Sequence, residues 1–192
     1  VYNKIGDKKN GFYVDLGAGH QTQGSNTAFF DIILGWKGLC IDAVLSSDFN
    51  KRSCLFEHTM VTRTNGEECN FILAGGLGGI EEYVRINMHK DHPAVQKGKV
   101  VKFKGKTILE IFSKHQVPKD IDYFSIDIEG AEHEILLGME EQNIFEKYNI
   151  NIFSIEHNWN GEKRNLIRDI LERNNFNYAG SYLGDDFYEK KI

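Results

Sequence analysis

Short apolar runs alternate with amphipathic segments along the chain. Residues 12–16 and 39–42 are compact runs that predict buried strands, and glycines border the first of them. Between these runs, residues 28–33 carry apolar side chains at helical spacing, and Ser25 is a candidate N-cap for that helix. Strands that alternate with helices are typical of strand–helix–strand units. The pattern therefore predicts a doubly wound α/β fold, with helices on both faces of a mainly parallel sheet.

The same alternation returns in the second half of the chain. Thr107 and Glu110 form a capping box that predicts the start of a helix, which has to end before Pro118. Beyond this helix, the apolar pattern predicts strands at 121–127 and 150–157, helices around 131–139 and 166–171, and a closing antiparallel hairpin from 178 to 188.

The middle of the chain is less regular. Residues 54–56 and 70–73 are short strand candidates, and four glycines follow within residues 75–79. These glycines indicate a close backbone approach or a loop, and a plain exposed turn fits equally well. Residues 81–106 are polar and weakly periodic. We expect an excursion from the domain there, either an ordinary surface insertion, which is favoured, or a lid or acceptor-binding loop.

Composition limits the possible classes of protein. A chain of 192 residues with 41% hydrophobic residues can bury one core, and we expect one domain over residues 1–192. The net charge of −5 gives no general attraction to a phosphate backbone, so no nucleic-acid partner is expected. No apolar stretch approaches about 20 residues and no signal peptide is evident, so we expect no membrane span and a cytoplasmic protein. The first residue, Val1, leaves the native N-terminus open, and nothing in the sequence predicts an oligomeric state.

Acidic residues stand where the first two predicted strands end. Asp15 precedes the turn Gly17-Ala18-Gly19, and Asp42 ends the second strand. A strand-terminal carboxylate about 20 residues after a glycine turn is common in nucleotide-binding folds, where it accepts hydrogen bonds from ribose hydroxyls. A nicotinamide enzyme fits less well, because Thr22 occupies the third glycine position of its fingerprint and Asp15 would repel a pyrophosphate. The carboxylate of Asp15 suits instead the ammonium group of a methionine-derived cofactor.

Four motifs along the chain form a specific combination. They are GFYVDLGAG at 11–19, SNT at 25–27, GWKGLCID at 35–42 and IDYFSIDIEGAE at 121–132. Together they resemble the FkbM family of methyltransferases, and the resemblance extends from Gly11 to about Phe176. Two departures from the family pattern are Gln21, where many members have glycine, and Ala43, where proline is frequent.

This resemblance implies a fold, a cofactor and a reaction. The fold is a Rossmann-like class I methyltransferase domain with a seven-stranded sheet, and the cofactor is S-adenosylmethionine. The reaction is methyl transfer to a hydroxyl oxygen of a sugar, glycan or other small natural product. The implied cofactor-binding residues are Asp15, Gly17, Gly19, Ser25, Asn26, Asp42 and Asp127.

Further polar residues follow the two later predicted strands. Asp127 and Glu129 come after one strand, and Glu156 and His157 after the next. Because the carboxyl ends of parallel strands meet at one edge of the sheet, we expect these four candidate catalytic residues to converge. An acceptor hydroxyl would lose its proton to His157 or a carboxylate, or with the help of a divalent cation such as magnesium held by oxygen ligands. We favour the metal-free version and assign no metal ligand.

Each of these residues also has a structural interpretation. Glu129 fits as a cap of the following helix, on whose solvated face we expect Glu132, and His157 fits as a buried structural histidine. Trp36 is expected in the core, whereas Trp159 is a candidate platform for a sugar ring. For the whole protein, the alternatives are a non-catalytic S-adenosylmethionine-binding module and, less favoured, a nicotinamide-dependent oxidoreductase.

Overall fold

The computed structural model of the protein describes residues 1–20, 22–44 and 51–191, so Gln21 lies outside the described residues. The described strands are β1 (Phe12–Leu16), β2 (Lys37–Asp42), β3 (Leu55–His58), β4 (Glu68–Leu73), β5 (Gly79–Ile80), β6 (Lys99–Lys104), β7 (Asp120–Ile126), β8 (Asn149–Glu156), β9 (Phe176–Tyr182) and β10 (Asp185–Lys190). Seven of them form one sheet in the order β3-β2-β1-β7-β8-β10-β9. The first five strands in this order run parallel to one another. This arrangement confirms the predicted α/β fold with a mainly parallel, seven-stranded sheet.

The last two strands form the predicted antiparallel hairpin. The hairpin lies at the edge of the large sheet, because β10 pairs antiparallel with β8 on one side and with β9 on the other. Asp185 consequently lies opposite Glu156 in one pairing and opposite Tyr182 in the other. The turn of the hairpin therefore reaches the same edge of the sheet as the carboxyl end of β8.

Helices connect most of these strands. They are α1 (Tyr2–Ile5), α2 (Ala28–Ile32), α3 (Glu81–Val84), α4 (Pro93–Gln96), α5 (Ile108–Lys114), α6 (Glu132–Glu141), α7 (Ile144–Lys147) and α8 (Gly161–Arg173). At the start of α5, Thr107 Oγ1 accepts the backbone N–H of Glu110 at 3.3 Å, which is one arm of the predicted capping box. None of the described helices combines the length and the apolarity needed to cross a bilayer.

The large sheet is buried on both faces. Along β1, Tyr13 packs with Trp36 and Phe30 on one face, whereas Val14 and Leu16 join the main cluster on the other. Successive side chains of a strand point to opposite faces, so a strand covered on both sides becomes a continuous apolar run. Trp36 is fully buried, as expected, and its indole N–H donates to the backbone oxygen of Lys8 at 2.7 Å.

A second, smaller sheet occupies the middle of the chain. β4, β5 and β6 form an antiparallel sheet, and α3 and α4 lie between β5 and β6 in sequence. The segment predicted as a polar excursion therefore contains a regular strand, and the sequence interpretation missed β6. Its pattern KVVKFK carries an alternating signal: Val101 and Phe103 pack beside Phe71, and Lys102 and Lys104 lie exposed. The alternation was overlooked because the lysines make residues 99–104 less apolar than a core strand.

Candidate functional site

A cleft of about 510 Å³ opens at the carboxyl ends of β1, β2 and β7. Open parallel sheets commonly bind ligands at this edge, and the volume is typical of small-molecule sites. The cleft is lined by every residue predicted to bind the cofactor: Asp15, Gly17, Gly19, Ser25, Asn26, Asp42 and Asp127. The small sheet and its glycine loop also contribute lining residues, which are Phe71, Gly75, Gly76, Gly78 and Ile80. The glycine segment is therefore part of a cleft wall.

Asp15 is a buried carboxylate at the inner end of the cleft. Only 1% of its surface is exposed, and Thr27 Oγ1 donates to its Oδ2 at 2.5 Å. Burial raises the pKa of Asp15 to about 6, although the Thr27 hydrogen bond and the charge of Arg52 act in the opposite direction. The side chain can therefore be anionic at neutral pH and can bind a cationic group.

Arg52 links Asp15 to the start of α2. Its guanidinium lies 3.9 Å from Asp15 Oδ2 and donates to Thr27 Oγ1 at 2.5 Å and to Ser25 Oγ at 3.0 Å. Ser25 Oγ in turn accepts the backbone N–H groups of Thr27 and Ala28 at 3.3 and 3.1 Å. The N-cap of α2 is nevertheless Thr27 and not Ser25, so that prediction was wrong by two residues. Sequence reasoning missed Arg52, because a single arginine in a polar segment carries no periodic or motif signal.

The turn after β1 brings two strands into close contact. Gly17 has φ +83°, and a Cβ atom built on it would lie 1.6 Å from the backbone oxygen of Asp127. No side chain fits in that space, so the residue at this position has to be glycine. The backbone of the turn thus lies directly against the end of β7, which brings the part of the cleft around Asp15 next to the carboxylates described below.

Asp42 anchors the turn after β1 to the end of β2. Its Oδ2 accepts the backbone N–H of Gly19 at 2.8 Å, and its Oδ1 accepts the backbone N–H of Val44 at 2.7 Å. Burial raises the pKa of Asp42, and the two backbone hydrogen bonds lower it. Each carboxylate oxygen has a second lone pair, so Asp42 can still accept hydrogen bonds from a ligand diol.

Three carboxylates converge beside this cleft. One oxygen each of Asp127, Glu129 and Glu156 lies within 4.8 Å of the others. Burial raises the pKa of Asp127 and of Glu156, and the charge of Asp127 raises the pKa of Glu156 further. Burial, followed by the charge of Asp127, raises the pKa of Glu129 to about 8. This set of oxygens could exchange protons with a bound hydroxyl near neutral pH, or it could hold a hard divalent cation.

His157 lies apart from this carboxylate cluster. Its ring is 2% exposed, its Nδ1 accepts the backbone N–H of Trp159 at 3.1 Å, and its Nε2 lies 3.8 Å from Asp186 Oδ1. Burial lowers its pKa, so the ring is neutral at physiological pH. The role of His157 in catalysis therefore stays a prediction. Its contacts with Trp159 and Asp186 fit the interpretation as a buried structural histidine better. Trp159 itself is 64% exposed.

The turn between β7 and α6 is held by a residue that the sequence interpretation assigned to the surface. Glu132 is 1% exposed rather than solvated. Its Oε1 accepts the backbone N–H groups of Ile128 and Gly130 at 3.0 and 2.9 Å. The prediction for Glu132 was wrong because its position on α6 faces the preceding turn, a contact that helical periodicity does not reveal.

Comparison with known proteins identifies one family whose range covers the cleft. The model of the Methyltransferase FkbM domain matches residues 15–178, a range that includes every lining residue of the cleft and the three clustered carboxylates. Among curated proteins, no match to the chain is found.

Proposed function

The chain belongs to the FkbM methyltransferase family, and we propose that it transfers a methyl group from S-adenosylmethionine to a hydroxyl oxygen of a sugar, a glycan or another small natural product. The observation that carries this proposal is the pair of carboxylates at the ends of β1 and β2. Asp15 and Asp42 both line the cleft from adjacent parallel strands, and Asp15 lies opposite Cys40, two residues before Asp42. This placement suits a ligand that carries an ammonium group at one end and a ribose diol further along the cleft.

Asp15 and Asp42 are proposed to divide the recognition of the cofactor between them. The buried carboxylate of Asp15 would bind the ammonium group of the methionine moiety, and Asp42 would accept hydrogen bonds from the ribose hydroxyls. Asn26 and Ser25 would contact the cofactor from the start of α2, and the backbone of Gly17 and Gly19 would allow its close approach.

The proposed reaction requires that the acceptor hydroxyl be aligned with the methyl group and that it lose one proton. The acceptor oxygen attacks the methyl carbon, the new C–O bond forms as the C–S bond breaks, and S-adenosylhomocysteine is released. We assign the base to Asp127, because it lines the cleft and burial raises its pKa towards neutrality, where a general base is most effective. Glu129 and Glu156 would share the proton with it. His157 is the second candidate base.

The same carboxylates also support a metal-assisted mechanism. A divalent cation held by Asp127, Glu129 and Glu156 would lower the proton affinity of a bound hydroxyl. We favour direct proton transfer, and we expect enzyme dialysed against EDTA to keep its rate of methyl transfer. A rate that falls after dialysis and returns with magnesium chloride would favour the metal-assisted mechanism instead.

The exposed rim beyond β8 is our candidate for acceptor binding. Trp159, Tyr182 and Leu183 are 64%, 70% and 71% exposed, and the indole Nε1 of Trp159 lies 4.0 Å from where a Cβ of Gly184 would be. An aromatic ring beside Gly184, which precedes Asp185 in the chain, suits the apolar face of a sugar. Trp159→Ala should therefore raise the KM of a glycan acceptor more than it lowers kcat.

Two measurements test the proposed function against its alternatives. Isothermal titration with S-adenosylhomocysteine and with NAD should give binding of the first ligand only, and binding of NAD alone would favour the oxidoreductase. A methyl-transfer assay with a panel of hydroxylated sugars and small natural products then separates an enzyme from a non-catalytic cofactor-binding module. A cytoplasmic location and the lack of a nucleic-acid partner stay predictions from the sequence.

A further inference from the structure

The turn that carries Glu129 has an unusual backbone. Glu129 has φ +62°, a left-handed conformation that side-chain-bearing residues rarely adopt. Besides Glu132, which accepts two N–H groups of this turn, Lys163 of α8 donates to the backbone oxygen of Gly130 at 2.5 Å. A conformation of this kind persists only where surrounding contacts hold it, and such residues cluster at functional sites.

Asn87 contacts Glu129 from the segment that follows the small sheet's strand β5. Its Nδ2 donates to Glu129 Oε2 at 3.1 Å and lies 3.3 Å from the backbone oxygen of Glu129. The two residues are separated by 42 positions in sequence, and they are 7% and 6% exposed. Asn87 therefore binds both the side chain and the backbone of a buried carboxylate residue.

The orientation of the Asn87 amide is determined by its other contact. Its Oδ1 accepts the backbone N–H of His89 at 2.8 Å, so the carbonyl end of the amide is already engaged. The NH₂ end consequently faces Glu129 as an obligatory donor. An Asn in the flipped orientation would lose the His89 contact and would bring its oxygen against a carboxylate oxygen.

Gly79 and Tyr83, which precede Asn87 in the chain, also pack close to the turn that carries Glu129. A Cβ atom built on Gly79 would lie 3.1 Å from the backbone oxygen of Ile128 and 3.2 Å from Glu129 Cβ, which indicates close packing. The ring of Tyr83 lies 4.6 Å from Lys163 Nζ, next to the same turn. The small sheet thus contributes one wall of the cleft, and residues 79–87, which begin in its strand β5, contact the turn that carries Glu129.

We propose that Asn87 is a positioning residue for methyl transfer, which holds the carboxyl group of Glu129 in the cluster with Asp127 and Glu156. This inference rests on the proposed function, because it assumes that the cluster serves the reaction. Without the Asn87 donor, both the carboxyl group and the backbone oxygen of Glu129 lose the hydrogen bonds described above. The carboxyl group would then leave the cluster. Among the described residues, the hydrogen bonds of Asn87 join it to Glu129 and His89 and not to Asp15 or Asp42, so cofactor binding should be unaffected.

Two substitutions separate this role from a general effect on folding. Asn87→Asp keeps an oxygen that can accept the His89 N–H but replaces the donor that faces Glu129 with a second carboxylate oxygen. Asn87→Ala removes both contacts without adding charge. The matched control is Asn70→Asp, because the exposed Asn70 of β4 donates to Glu81 Oε2 at 3.1 Å, which is the same kind of contact outside the cleft.

The readouts are kcat and KM with an acceptor found in the panel, the affinity for S-adenosylhomocysteine, and hydrogen–deuterium exchange of residues 127–133. Both Asn87 variants should lower kcat by at least about tenfold, with little change in KM or in S-adenosylhomocysteine affinity. Amide exchange in residues 127–133 should become faster. Asn70→Asp should match the wild type in every readout.

Three results would overturn the inference. The first is a wild-type kcat in both Asn87 variants, and the second is unchanged exchange in residues 127–133, which can be measured even without an acceptor. The third is a parallel loss of kcat, cofactor affinity and thermal stability, which would indicate a purely structural residue. Failure of the proposed function itself looks different, because the wild-type protein would then fail to bind S-adenosylhomocysteine or to methylate any acceptor.

Discussion

Asp42→Ala is the most direct test of the proposed cofactor site. The substitution removes the acceptors of the Gly19 and Val44 N–H groups, at 2.8 and 2.7 Å, together with the oxygens proposed to bind the ribose. In the complex, the ribose hydroxyls would then be buried without their partner, at a cost of about 1–3 kcal/mol. The affinity for S-adenosylhomocysteine should therefore fall by about 5-fold to about 140-fold.

Isothermal titration calorimetry measures this loss, and Asp122→Ala is the matched control. Asp122 Oδ2 also accepts a backbone N–H, from Phe12 at 3.0 Å, but it lies near the amino end of β7, away from the cleft. Its loss should lower the melting temperature and leave the affinity for S-adenosylhomocysteine nearly unchanged. Wild-type affinity in Asp42→Ala would refute the reasoning, since the ribose would then be bound elsewhere. An equal loss of affinity for S-adenosylhomocysteine in both variants would show that general destabilisation causes the effect.

Three further predictions concern the other parts of the site. Asp127→Asn should lower kcat by about 100-fold or more in a methyl-transfer assay while titration shows little change in cofactor affinity, and an equal loss of both would make Asp127 a cofactor residue only. Affinity for S-adenosylmethionine should fall as the pH drops through about 6, because protonation neutralises Asp15, whose pKa burial raises to about 6. Titrations from about pH 8 to about pH 5 should show a larger fall in the wild type than in Asp15→Asn, in which Asp42 and Asp127 of the same cleft still titrate. Gly17→Ala should abolish cofactor binding and lower the melting temperature strongly, because the new Cβ would lie 1.6 Å from Asp127 O. Gly35 is the control, because it has φ +69° and no atom lies within 4 Å of a Cβ built on it. Gly35→Ala should therefore lower the free energy of unfolding by only about 1–2 kcal/mol in a denaturant melt. Similar losses of stability in Gly17→Ala and Gly35→Ala would contradict the steric clash at Gly17.

The sequence by itself determined the architecture and the acidic residues that line one end of the cleft. Apolar runs such as residues 12–16 identify strands because a strand buried on both faces is apolar over most of its length. The position of Asp15 and Asp42 follows from the same logic. The carboxyl ends of neighbouring parallel strands meet at one edge, so residues that end each strand come together whatever the loops between them do.

Only the tertiary structure decided which polar side chains outside those strand ends are buried and what they contact. Arg52 joins Asp15 to α2, and Asn87 reaches Glu129 across 42 residues of sequence. Neither contact leaves a local pattern, because burial of a polar residue depends on elements that are distant along the chain. His157 shows the converse, since its proximity to Glu156 in sequence predicts a shared site, yet its ring lies near Asp186 of β10. Successive side chains of a strand point to opposite faces, so adjacent residues at a strand end need not meet the same neighbours.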